Sequence, residues 1–334
     1  MRLPCPAVPR HEMRVFTDPE IRSLLQPAEV ADAIEAAFRR DYAKTAVMPV
    51  RTQVEVEGDG VLLVMPCFES AVPALGAKLV TLFGKAAERL QANYLLFEPA
   101  NGKLLALMAA NCLTDLRTAA TTALATRHMA RVEARVLGIF GTGRQARAHI
   151  EVMTALWRFE RVLVCGSNAE RSRAFADAMA NELKVEVAPA DACLCASQAD
   201  IICTCTTSST PVLEASWLRT GTHLNLVGAF RPHTREVDSE TVRRARIIVD
   251  TYEGALAEAG DLLIPMSEGV ISRDSVVADL HEVVSGKKAG RTSADEITLF
   301  KSVGCALEDL VTAMLAFQKA ERARERMKCG GNTT

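Results

Sequence analysis

The stretch ARVLGIFGTGRQARAHI, residues 134–150, does most to limit what this chain can fold into. Its apolar run at 136–140 has the length of a buried strand and leads into Gly141-Thr142-Gly143-Arg144-Gln145-Ala146, where a helical pattern resumes. Each small residue answers a steric need. Gly141 permits a tight turn, Gly143 lets backbone N–H groups approach a pyrophosphate, and Ala146 lets the helix pack close to the strand. The helix N-terminus is then aimed at the phosphates. The plainer account is a glycine-rich strand-to-helix turn with no ligand. Against it stand the strand before, the helix after, and a second apolar run at 161–165.

The same unit recurs downstream. Apolar runs at 136–140, 161–165, 185–188, 200–206, 222–227 and 246–250 alternate with helical patterns, and six strands in that rhythm predict a doubly wound α/β sheet. Upstream the period differs. Residues before about Phe16 show none, and from Asp18 a helical stripe of Leu24, Leu25, Val30, Ile34, Ala37 and Phe38 runs toward Tyr42. Then 51–57 alternate, 61–66 and 76–83 are compact apolar runs, and 94–108 read as a hairpin turning at 99–102. Strands joined by short turns predict an antiparallel sheet distinct from the parallel one. A helix is expected from about Thr114 with Arg117 in its first turn. A last helix, about 303–327, comes after the parallel sheet is complete and should pack back onto the first region.

At 334 residues the chain has room for two domains or for one with an insertion. Its 39 basic and 41 acidic residues nearly cancel, so no broad basic field points to nucleic acid. No apolar run approaches the ~20 residues of a membrane span, and MRLPCPAVPRHEMR lacks the apolar core of a signal peptide, so a soluble cytoplasmic protein is expected. The ten cysteines are scattered among apolar neighbours, and neither C-x-C pair (Cys193 with Cys195, Cys203 with Cys205) has zinc spacing with a matching second pair. They read as reduced thiols, with no metal site.

Three cations outside the parallel-sheet region draw notice: Arg51 at a strand start, Lys78 within GAKLV, and Arg117 at a helix start. An ammonium is costly in a strand of Gly, Ala, Leu, Val and Phe unless it meets an anion. Taken singly, each has a plainer account as an edge-strand charge, a snorkelling lysine or a surface helix residue. Periodicity cannot bring them together.

Lys78 in GAKLV, Arg117 in LTDLRTAATTALA, GTGRQA, NLVGAFRPHTREVD and ITLFKSVGCALEDL, in that order, resemble the ornithine cyclodeaminase and mu-crystallin family. The resemblance runs from about Asp18 to Ala320. It implies a discontinuous substrate-binding and dimerisation domain (1–117 and 305–334) around a Rossmann NAD(P)-binding domain (118–304), with a homodimer formed through the antiparallel sheets. It also implies that Arg51, Lys78 and Arg117 hold the carboxylate of a small acid, with Val303 lining the pocket. A guanidinium fork and a movable ammonium suit that anion. Nucleotide contacts are implied at Asn93, Arg144, Gln145, the Ser167 region, Thr206, Val227, Gly228 and Ser302, beside the turn from Gly141 through Gly143 to Ala146.

Two departures from the family pattern bear on function. In the cyclodeaminases the position of Phe230 is an aspartate, used in deamination and ring closure, and phenylalanine can neither take a proton nor hold an ammonium. The GAFRPHTREVD form resembles the family's reductases of cyclic ketimines such as pyrroline-2-carboxylate and piperideine-2-carboxylate. At the end of the second parallel strand an NAD enzyme would place an acid for the ribose hydroxyls, yet this chain reads Cys165-Gly166-Ser167-Asn168, with Arg171 and Arg173 close behind. That end admits a 2′-phosphate, so NADPH is favoured, with NADH possible. Lys78, water or solution remain open as sources of the imine proton, and His233 reads as an ordinary loop residue. Three functions stay in view: a ketimine reductase, an ornithine cyclodeaminase or alanine dehydrogenase, and a non-catalytic binding protein. Retention of all three cations argues against the last.

Overall fold

The computed structural model describes residues 13–57, 60–84 and 90–330, the side chains of 328–330 excepted. The first sheet contains β1 (Arg14–Phe16), β2 (Ala46–Val47), β3 (Thr52–Val56), β4 (Gly60–Glu69), β5 (Ala74–Phe83), β6 (Leu90–Phe97) and β7 (Leu104–Ala109). Its order is β1-β7-β6-β5-β4-β2, with β3 also paired to β4. All pairs are antiparallel except β1 with β7. Thus 14–16, where the sequence shows no period, forms a strand. Three residues are too few for a period to show, and the backbone ladder to Ala106–Met108 defines the strand.

The second sheet contains β8 (Val136–Phe140), β9 (Arg161–Cys165), β10 (Glu186–Pro189), β11 (Ile201–Thr204), β12 (His223–Leu226), β13 (Ala245–Val249), β14 (Val276–Asp279) and β15 (Ile297–Lys301). All are parallel, in the order β10-β9-β8-β11-β12-β15-β13-β14. The expected six strands become eight. The four-residue β14 carries little signal, and β15, which arrives last, inserts between β12 and β13, so every one of its residues is buried. The order of strand addition reverses between β8 and β11, the switch point where a crevice opens at the carboxyl ends of a parallel sheet.

The single helix expected from Asp18 is two, Asp18–Leu24 and Pro27–Arg39. Proline has no N–H to continue a ladder but is preorganised to begin one, so the chain breaks at Leu25 and Gln26 and restarts at Pro27. The central helix, Asn111–Met129, starts three residues before the expected Thr114, which puts Arg117 in its second turn. It is buried almost all round, and three of its threonines satisfy their hydroxyls on the preceding turn: Thr118 donates to Thr114 O at 2.7 Å, Thr121 to Arg117 O at 2.9 Å and Thr126 to Thr122 O at 2.8 Å. Small Ala and Thr side chains let this helix run between the two sheets. The C-terminal helix, Ala306–Gly330, begins three residues later than expected because 302–304 form a held loop. Its Leu307, Leu310, Ala313 and Ala316 share a core with Ile34, Phe38, Tyr94 and Leu96 of the first region. Cys67, Cys195, Cys203, Cys205 and Cys305 are buried free thiols. Cys5 and the Cys329 side chain lie outside what is described.

Candidate active site

The turns after four parallel strands converge on one cavity of about 960 Å3. Gly143 follows β8, Thr206 follows β11, Val227 and Gly228 follow β12, and Ser302 and Val303 follow β15. The opposite wall is the buried face of β4 and β5, with Met65 paired to Lys78, together with Thr114, Arg117 and Thr118 of the central helix.

The glycine turn has the predicted geometry. Gly141 sits at φ +123°, and a Cβ there would stand 2.6 Å from Cys205 O. A Cβ at Gly143 would meet nothing within 4 Å, since that side faces the cavity, and Gly143 caps the helix Arg144–Leu156. Ala146 is fully buried against the sheet. Arg144 and Gln145 are both engaged by Asp115 of the central helix: Arg144 donates Nε and Nη2 to Oδ2 at 3.0 and 2.7 Å, and Gln145 Nε2 donates to Oδ1 at 2.9 Å. A dinucleotide pyrophosphate fits this arrangement of open backbone, helix N-terminus and nearby guanidinium.

The three cations meet on the far wall, and each brings a carboxylate. Arg51 Nε donates to Glu258 at 2.9 Å, and its Nη2 donates to Val303 O and Gly304 O at 2.6 and 2.9 Å. Lys78 Nζ stands 2.8 Å from both oxygens of Asp309. Arg117 pairs through Nη1 with Glu308 at 2.6 Å and through Nε with Asp309 at 2.9 Å. Glu308 and Asp309 are fully buried. They open the C-terminal helix, where its dipole favours acids. Burial, then Arg117, lower the Lys78 ammonium to about 8, while Asp309 pulls it back up. Desolvation is thus the largest single cause of that lowering, ahead of either arginine. Burial raises the carboxyls of Glu258 and Glu308, opposed by Arg51 and Arg117 respectively.

Two buried acids fix the loops. Glu236 accepts from Thr204 Oγ1, from Thr206 N and Oγ1 at 2.7 Å, and from Gly228 N at 2.8 Å, tying the turns after β11 and β12 together. Asp250 accepts from Ser302 Oγ at 3.0 Å and from the N–H groups of Val303 and Gly304 at 2.7 Å. Gly304 has φ +77°, and a Cβ there would run into the Arg117 guanidinium.

Several implied contacts fall elsewhere. Asn93 is exposed on β6, and neither it nor His233 lines the cavity. Ser167, Asn168 and Arg171 are exposed at the end of β9, also outside the lining. Asn168 caps the helix Ala169–Glu182 by accepting from Arg171 N at 2.9 Å. This edge abuts the glycine turn, since a Cβ at Gly166 would stand 2.9 Å from Thr142 Cγ2. Sequence reading missed Asp115, Glu236, Asp250, Glu258, Glu308 and Asp309. The adjacent acids of ALEDL already have an account as a helix start, so nothing in the letters signals their pairing. Phe230 lines the cavity with the Arg51 guanidinium 5.9 Å from its ring centre.

A parallel sheet with a glycine turn at its switch point, facing a wall of paired cations, defines a dinucleotide-binding protein for a small anionic ligand. Comparison with known proteins agrees, and the chain belongs to the ornithine cyclodeaminase/mu-crystallin family, which matches residues 11–324. It is similar to a Delta(1)-pyrroline-2-carboxylate reductase of Bacillus cereus, 35% identical with 92% of this chain and 97% of that protein covered. It is also similar to the ketimine reductase mu-crystallin of Mus musculus, 38% identical over 88% and 91%. Among solved structures, the Thermococcus litoralis Delta(1)-pyrroline-2-carboxylate reductase in complex with NADH and L-proline superposes with a TM-score of 0.90. That pair is 38% identical over 93% of this chain and 98% of the other.

Proposed function

We propose that this chain is an NAD(P)H-dependent ketimine reductase, an oxidoreductase that takes delta1-pyrroline-2-carboxylate to L-proline or delta1-piperideine-2-carboxylate to L-pipecolate. The observation that carries this reading is the convergence of Arg51, Lys78 and Arg117 on a cavity whose other wall is the glycine turn. The relatives named above support it. With its pyrophosphate held along Gly141 to Ala146, a reduced dinucleotide would supply the hydride from its nicotinamide. The chain's own residues do the rest. Arg51 and Arg117, held in place by Glu258 and Glu308, present N–H donors to the substrate carboxylate, and Lys78 adds a third point of charge. Two-sided holding of one small acid fixes which ring carbon faces the nucleotide wall, the orientation on which transfer depends. Val303 and Phe230 line the cavity with apolar surface and suit a ring's methylenes.

Residues 1–117 and 305–334 act as substrate and dimerisation domain and 118–304 as nucleotide domain, although the first boundary lies inside one continuous helix. The exposed Val47, Val54 and Val56 of the antiparallel sheet suit a homodimer contact. A cytoplasmic setting is proposed too. Among the described residues no helix is long and apolar enough to cross a membrane, and no cluster suits a metal ion.

Oxidation of NADPH with pyrroline-2-carboxylate, piperideine-2-carboxylate, or pyruvate plus ammonia, set beside ornithine plus NAD, tests the reading. Turnover is expected with a cyclic imine. Ornithine should yield no ammonia above background, because Phe230 offers no carboxylate, and robust proline formation from ornithine would overturn the reductase assignment. For the cofactor, Arg171→Ala should weaken NADPH binding about tenfold or more and leave NADH binding nearly unchanged, since a charge-assisted hydrogen bond contributes roughly 1.5–3 kcal/mol. Equal losses for both nucleotides would remove Arg171 from the 2′-phosphate.

A further inference from the structure

The cation wall is charge-matched. Arg51, Lys78 and Arg117 face Glu258, Asp309 and Glu308, so a substrate carboxylate enters a wall that is already paired. The three pairs differ in kind. Arginine keeps its proton at any working pH, whereas a buried lysine beside an arginine does not. Lys78 is 1% exposed and has Arg117 as a neighbour, and Asp309 is the acid that touches it.

We infer that Asp309 is a positioning residue for catalysis: its carboxylate, ion-paired with the Arg117 guanidinium, holds Lys78 as an ammonium at the cavity wall, ready to donate to the substrate carboxylate. This rests on the reductase reading for its substrate, and it names the residue that sets the state of that site. The geometry is specific to Asp309. Its Oδ1 lies 2.8 Å from Lys78 Nζ and 2.9 Å from Arg117 Nε, so one oxygen spans β5 and the central helix. Glu308 reaches Arg117 and the Cys305 thiol, and among the described residues its ion pair is with Arg117 rather than Lys78.

The other groups facing this pair can be named. Arg117 from the central helix and Arg51 from the segment before β3 both disfavour the Lys78 charge. Tyr94 on β6 and Cys67 on β4 face Asp309. Burial raises the tyrosine well above its usual value and the thiol to about 12, so both stay protonated throughout the working range. Asp309 is thus the acid whose charge favours the ammonium. The sign follows directly. Removing a group that raises the lysine's proton affinity makes Lys78 lose its proton at lower pH, and the alkaline limb of kcat/KM moves down.

Asp309→Asn should move that limb down by roughly one to three pH units, the usual effect of an adjacent opposite charge. KM for the imine should change less than kcat at pH 7, because both arginines remain. Asp309→Glu should restore the limb to within about half a unit. A second readout needs neither substrate nor nucleotide: trace acetylation of Lys78 by acetic anhydride across pH, followed by mass spectrometry of its peptide. The labelling midpoint should fall in Asp309→Asn by the same amount as the limb. A lower rate with an unmoved limb and an unmoved midpoint would overturn the proposal and leave Asp309 a packing residue. If Asp309→Asn does not fold, a wild-type midpoint below neutral pH would overturn it, and one in the alkaline range would support it. Absence of imine turnover in the wild type would sink the reductase reading, while the labelling arm would still decide the role of Asp309.

Discussion

Arg117→Ala is expected to lower kcat/KM for the cyclic imine by roughly thirty- to several-thousand-fold. Removing one partner of a buried charge pair with a ligand costs about 2–5 kcal/mol, at about 1.4 kcal/mol per tenfold. The structure adds a consequence for stability. Arg117 is 5% exposed and pairs with Glu308 and Asp309, so the substitution leaves Glu308 without its cation. Stranding a buried charge costs about 3–5 kcal/mol, so the variant should also unfold earlier. Thermal unfolding followed beside kinetics separates the two effects. NADPH affinity should change by less than about threefold, since the phosphates are assigned to the turn at Gly141 to Ala146. Normal imine reduction by a variant that binds NADPH would contradict the substrate assignment of Arg117.

Gly141→Ala should have the opposite profile. At φ +123° an L side chain is strained, and its Cβ would press on Cys205 O, a backbone atom that cannot swing aside. Such strain is of order 1–3 kcal/mol. The turn relieves it by moving the 141–143 backbone away from the phosphates, so NADPH should bind roughly five- to a hundredfold more weakly. Fluorescence titration of NADPH measures this directly. An unchanged dissociation constant would show that the turn tolerates the side chain or that the phosphates lie elsewhere. Set together, the two variants separate the walls of the cavity.

The glycine turn was legible because its chemistry is local. Gly141, Gly143 and Ala146 act through the backbone of one strand-to-helix unit, and a few adjacent letters specify that unit. The hairpin at 99–102 was legible for the same reason, and Gly102 indeed sits at φ +73°. The break at Pro27 was equally local, yet the apolar stripe ran straight across it and masked the proline. Strand β15 shows the other limit. ITLFK was noted as a motif, but a five-residue run says nothing of which neighbours it pairs with, and strand order decides that Lys301 ends buried against Asp261 at 2.9 Å.

By itself the sequence determined the two kinds of sheet, the dinucleotide turn and, through a resemblance, the three cations, since periodicity and turn chemistry are written along the chain. Only the tertiary structure decided what those cations meet. Lys78 and Asp309 are 231 residues apart, and Arg51 and Glu258 are 207 apart. No periodicity spans such separations. Lys78 meets Asp309 only once the C-terminal helix has packed back onto the antiparallel sheet, and Arg51 meets Glu258 only once the parallel-sheet region lies against that sheet; burial then makes the pairing obligatory.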